Sequence, residues 1–138
     1  MEPSHTQEEL RQRVHPGCVA CSPTNGRGLG LRFSPTSDGG IRAEFTSEAD
    51  LEGYPGVLHG GITSLIFDSA MVNCLFALGH QAVTAELTVR FLSPVSTGLP
   101  LQVEARLKSD MHPLYVVEAT LSQAGAPRAR AQGKFMAV

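Results

Sequence analysis

Gly60-Gly61-Ile62-Thr63-Ser64-Leu65-Ile66-Phe67-Asp68-Ser69-Ala70-Met71-Val72-Asn73-Cys74-Leu75-Phe76-Ala77-Leu78 is the stretch that decides the architecture of this chain. Its apolar residues go most of the way round a helix, and a helix that is apolar on nearly all sides is buried in a core. At this length the helix spans roughly 30 Å. Gly79 follows in the position of a left-handed C-cap. Two features set the segment apart from plain packing. A carboxylate, Asp68, stands among apolar neighbours, where desolvation is costly unless a partner or a function offsets it. Two glycines open the helix where its first N–H groups have no internal acceptor.

The sequence on either side of the helix alternates instead. Downstream, Val83 to Leu92 reads as a strand closed by Pro94 and Gly98. Leu101, Val103, Ala105 and Leu107 alternate with Gln102, Glu104, Arg106 and Lys108 in the next. His112-Pro113 marks a turn into Leu114–Ser122. Gly125-Ala126-Pro127 turns into a last strand whose Ala129, Ala131 and Phe135 face one way and Arg128, Arg130, Gln132 and Lys134 the other. Upstream, Ile41, Ala43 and Phe45 alternate with Arg42, Glu44 and Thr46 after the turn Ser37-Asp38-Gly39-Gly40. Leu29–Phe33 is expected to be the first strand. A short helix over residues 4–14 and a Pro/Gly-rich loop lie before it. Consecutive hairpins imply a mostly antiparallel sheet, so the fold class is α+β: a curved sheet wrapped around one long central helix. Residues 1–25 form the expected N-terminal helix and loop, and 26–138 the main domain.

With 138 residues, 42% hydrophobic and 17% charged, the chain suffices for one domain with a real core. A net charge of −2 leaves no basic field for a nucleic-acid backbone. The polar, acid-bearing start of the sequence does not read as a targeting segment, and the long apolar run is interrupted by Asp68 and Asn73. A cytoplasmic protein with no membrane and no nucleic-acid partner is expected. Three cysteines, Cys18, Cys21 and Cys74, do not make a disulfide framework. His15-x-x-Cys18-x-x-Cys21 has ligand spacing but no fourth ligand in its vicinity, so no metal is expected. Cys74 reads as a buried apolar residue.

For chemistry, the helix start offers N–H groups to an oxygen that becomes an oxyanion. Gly60 and Asp68 stand eight residues apart, roughly 12 Å along a helix axis. One chain does not easily bring both to one carbonyl, whereas two opposed helices do, which points to a site shared across a dimer interface. Val57, Met71 and Leu75 are expected to line an apolar substrate pocket, with His59 and Gly61 beside it.

Three strings carry a resemblance: Gly56-Val57-Leu58-His59-Gly60-Gly61, then Asp68-Ser69-Ala70-Met71, then Val83-Thr84-Ala85-Glu86-Leu87-Thr88-Val89-Arg90-Phe91-Leu92-Ser93-Pro94-Val95. At these spacings the chain, from about residue 26 onward, resembles the PaaI-like (phenylacetic-acid-degradation type) hotdog thioesterases. The resemblance implies the hotdog fold, a homodimer that pairs further into a homotetramer, and hydrolysis of acyl-CoA or aryl-CoA thioesters with no metal or cofactor. It implies Asp68 as the carboxylate that activates water or attacks the carbonyl. It implies the Gly60 N–H as donor to the thioester oxygen, and Thr84 as a hydroxyl that helps hold the water. Arg128, Arg130 and Lys134 read first as a solvated strand face, and they or Arg90 are the candidates to touch the coenzyme A phosphates. The chain departs from the pattern at Gly53, where many relatives carry Asn or Gln, and at Ser69, where many carry Glu. A non-catalytic acyl or CoA binder is the alternative reading. A hotdog dehydratase or hydratase is disfavoured, because no histidine precedes Pro55-Gly56 and the helix lacks the matching glutamate.

Overall fold

The computed structural model describes residues 3–138, with side chains from Thr6 onward. In chain order the elements are α1 (Pro3–Val14), β1 (Ser34–Pro35), β2 (Ile41–Thr46), a 3-10 turn (Ala49–Leu51), α2 (Gly60–Ala77), β3 (Ala82–Phe91), β4 (Pro100–Met111), β5 (Leu114–Gln123) and β6 (Ala126–Ala137). The strands form one six-stranded sheet in the order β1-β2-β4-β5-β6-β3, and every neighbouring pair is antiparallel.

Alternation in the strands becomes a concave apolar face. Ile41, Ala43, Leu101, Val103, Ala105, Tyr115, Val117, Ala119, Leu121, Ala129, Ala131 and Phe135 are all buried. α2 lies across that face, with Ile66, Phe67, Ala70, Met71, Cys74, Leu75 and Phe76 at 2% exposure or less. By length and composition α2 resembles a membrane span; here the curved sheet and α1 enclose it instead.

Both ends of α2 are set locally. His59 Nδ1 accepts from the Gly61 N–H at 2.8 Å and caps the start. At the other end Gly79 takes φ +81°; its N–H donates to Phe76 O and the His80 N–H to Leu75 O. That pair of bonds is a Schellman stop, which needs a residue at ease with positive φ.

The expected first strand differs. Leu29–Phe33 does not join the sheet, and only Ser34–Pro35 pairs with β2. The Leu29 and Leu31 N–H groups donate instead to the Val19 and Ala20 carbonyls. Leu31 and Phe33 are buried all the same, so the apolar signal reflected burial under the N-terminal loop. α1 and that loop share the main core through Leu10 and through Ala20 and Cys21 respectively. Buried Gln7 donates to Asn73 Oδ1 on α2 at 2.8 Å.

Candidate active site

α2 and β3 run side by side in opposite directions. A Cβ placed on Gly60 would lie 3.5 Å from the Phe91 ring at the end of β3. At the other end, the Thr84 hydroxyl donates to Asp68 Oδ1 at 2.6 Å. Asp68 is half-buried and Thr84 exposed, so the pair opens to solvent at the strand. The β3–β6 register shifts between Thr84 and Glu86. A bulge of this kind re-aims a side chain locally, and here it falls at the threonine that meets Asp68.

At the helix start, Gly61 N–H is taken by His59 Nδ1, and the Ile62 and Thr63 N–H groups go to His59 O. Among the described residues this leaves the Gly60 N–H as the first-turn donor with no acceptor. It carries the positive end of the helix dipole and lies at the edge of a groove of about 630 Å³. The groove is lined by Gly53, Tyr54, Val57, Thr63, Phe91 and Leu92 among others.

The expected site residues divide accordingly. Val57, His59 and Gly60 meet at the groove. His59 acts as the helix cap, so Gly61 has no free donor to offer a ligand. Met71 and Leu75 do not line a pocket in this chain. They are 0% and 1% exposed on the side of α2 pressed to the sheet, because the helix buries them against it. Arg90 lies on the opposite face of the sheet, in a shallow cavity with Arg106 and Arg130. Arg128 donates to Pro94 O at 2.7 Å, and Lys134 pairs with Glu86 at 3.5 Å. Ser69 is buried near Asn73 under α1 rather than beside Asp68's open side. Cys74 is fully buried, and burial pushes its thiol up to about 11.

Tyr54, Phe91 and Thr63 are among the groove residues that the local sequence does not single out. Tyr54 is 81% exposed at the groove mouth, Phe91 forms a wall, and the buried Thr63 Oγ1 has no hydrogen-bond partner among the described residues. Thr63 was legible in principle, standing one helical turn from Gly60; Phe91 required the strand's placement.

Comparison with known proteins bears on the fold. Residues 55–109, which carry the helix start, Asp68, Thr84 and β3, match the model of the thioesterase superfamily. The chain superimposes on the Escherichia coli PaaI protein of the phenylacetic acid degradation operon with a TM-score of 0.82, covering 99% of this chain and 96% of that one at 20% identity. The chain has the hotdog fold of the thioesterase superfamily. A Streptococcus mutans protein bound to acetyl CoA aligns with TM-score 0.73 and 19% identity, over 78% of this chain and 88% of that one. A Saccharolobus solfataricus protein that carries an esterase name is 34% identical over 92 residues, 65% of this chain. The match spans 61% of that relative's length.

Proposed function

We propose that this hotdog protein hydrolyses acyl-CoA or aryl-CoA thioesters at a site built by two copies of the chain. The observation that carries the reading is the Asp68–Thr84 pair, held at an open sheet edge on the helix that also presents the Gly60 N–H. The thioesterase match and the acetyl CoA bound to a similar fold supply the substrate class.

The reaction needs a carboxylate and an oxyanion donor around one carbonyl. Within one chain they are two helical turns apart. β3 offers the remedy, because it is an edge strand and carries Val83 at 56% and Phe91 at 53% exposure. An exposed apolar edge is a template for pairing with another chain. If β3 pairs antiparallel with its copy about a two-fold axis between Leu87 and Thr88, Thr84 comes opposite the partner's Phe91. Asp68 of one subunit then faces Gly60 of the other. A homodimer is therefore part of the proposal, with pairing into a tetramer as a further step.

In this arrangement the thioester oxygen accepts from the Gly60 N–H, and Val57, Phe91 and Leu92 line the acyl groove. Asp68 Oδ1 is fixed by Thr84, which leaves Oδ2 to take a proton from water or to attack the carbonyl carbon. The C–S bond breaks and coenzyme A leaves as thiolate; attack by water gives the carboxylic acid directly, whereas attack by Asp68 gives a mixed anhydride that water then hydrolyses to the acid, restoring the carboxylate. A second reading, a non-catalytic CoA-ester binder, draws on Gly53: the groove has no amide side chain at the place where relatives carry one.

A panel of short, medium and aromatic CoA esters, followed by free-thiol release, separates the two. Turnover by the wild type and a loss of at least about a hundredfold in Asp68→Asn is expected. Binding of CoA esters with no turnover by the wild type would favour the binder.

A further inference from the structure

The loop after α1 gathers three side chains that thioester hydrolysis leaves unused. One ligand atom each from His15, Cys18 and Cys21 lie within 4.8 Å of one another. Around zinc, with bonds of about 2.3 Å to sulfur and about 2.0 Å to nitrogen, tetrahedral ligands stand roughly 3.5–4 Å apart. Closure from the observed spacing therefore asks for a contraction of at most about 1.3 Å.

Two independent features aim the cluster at a cation. The Ala20 and Cys21 N–H groups both point at Cys18 Sγ, at 3.3 and 3.4 Å. These two bonds fix the orientation of the Cys18 sulfur, so less freedom is lost when it takes a metal ion. The second feature is His15 Nδ1, which is buried and has no hydrogen-bond partner among the described residues. An orphaned buried ring nitrogen is costly unless something answers it. The ring is fixed edge-on against Phe76, centroids 5.1 Å apart at 80°.

We propose that His15, Cys18 and Cys21 form a binding site for a thiophilic d10 cation, with solvent as the fourth ligand. Solvent reaches the site because His15 and Cys18 are only half-buried. On binding Zn²⁺ both thiols lose their protons to solvent, two Zn–S bonds and one Zn–N bond form, and nothing is oxidised or reduced. The ion would close the loop on itself beside α2, whose Phe76 already packs against the His15 ring.

The test uses the reduced full-length chain and Zn²⁺, with Co²⁺ as a spectroscopic substitute. Expected are one retained ion per chain, release of about two protons per ion at neutral pH, a higher melting temperature, and thiolate-to-cobalt charge-transfer absorption. Cys18→Ser, at a half-exposed position that the fold tolerates, should weaken binding at least about tenfold and abolish the absorption. His15→Gln should also weaken binding, whereas Cys74→Ala, outside the cluster, should bind as the wild type does. The proposal fails if the wild type retains no stoichiometric ion. It fails equally if Cys18→Ser and His15→Gln both bind as the wild type does.

Discussion

Asp68 Oδ1 accepts the Thr84 hydroxyl at 2.6 Å, and that bond restricts how the carboxylate can turn. Thr84→Val keeps the shape and removes the donor. A hydrogen bond to a charged group contributes about 1.5–3 kcal/mol, so a kcat lower by roughly 10- to 100-fold is expected. KM should stay near the wild-type value, because the acyl groove is untouched. A Thr84→Val enzyme with unchanged kcat would leave the threonine without a role. At Cys74 the sign of a pH effect follows from burial, which raises the thiol from its usual 9 to about 11. Between those values the folded chain keeps a proton that the unfolded chain gives up. Its contribution is fully present below pH 9 and is lost as pH rises through 11. Thermal melts from pH 9 to 11 should fall more steeply for the wild type than for Cys74→Ala. Parallel slopes would contradict this.

α2 approaches β6 closely only because Gly133 has no side chain. A Cβ there would stand 2.7 Å from Met71 Sδ and 2.6 Å from the Phe135 ring. Gly133→Ala should therefore destabilise the chain by about 1–3 kcal/mol, the usual cost of overpacking, as read by urea unfolding. This contact also marks what the sequence could and could not yield. Period-2 alternation made β2, β4, β5 and β6 legible, and the all-round apolar pattern made α2 legible, because each pattern records burial directly. Burial does not name its partner. Leu31 and Phe33 carry a strand's apolar pattern although a loop buries them. Met71 and Leu75 carry a pocket's apolar pattern although α2 presses them to the sheet. In the candidate site, Asp68 stood out because a carboxylate conflicts with its apolar setting, whereas Tyr54 and Phe91 conflict with nothing in their local sequence. The bulge that brings Thr84 to Asp68 depends on a one-residue offset between β3 and β6, which no pattern within either strand records.

At the scale of the whole molecule the proposal turns on which subunit supplies each group. Gly60 is the first residue of α2, where proline is well tolerated because its missing N–H is not needed by the helix. His59 precedes it at φ −58° and ψ 134°, a conformation that a following proline favours. A Cβ at Gly60 meets only the Phe91 ring, at ordinary contact distance. Gly60→Pro thus deletes the oxyanion donor while leaving the helix its start. Alone, Gly60→Pro and Asp68→Asn should each be inactive. When the two variants are unfolded and refolded together, a mixed dimer joins an intact Asp68 from one chain with an intact Gly60 from the other at one of its two sites. Random pairing then restores about a quarter of wild-type activity. If each chain carried a complete site of its own, both groups would have to be intact in the same subunit, and the mixture would stay as inactive as its parts.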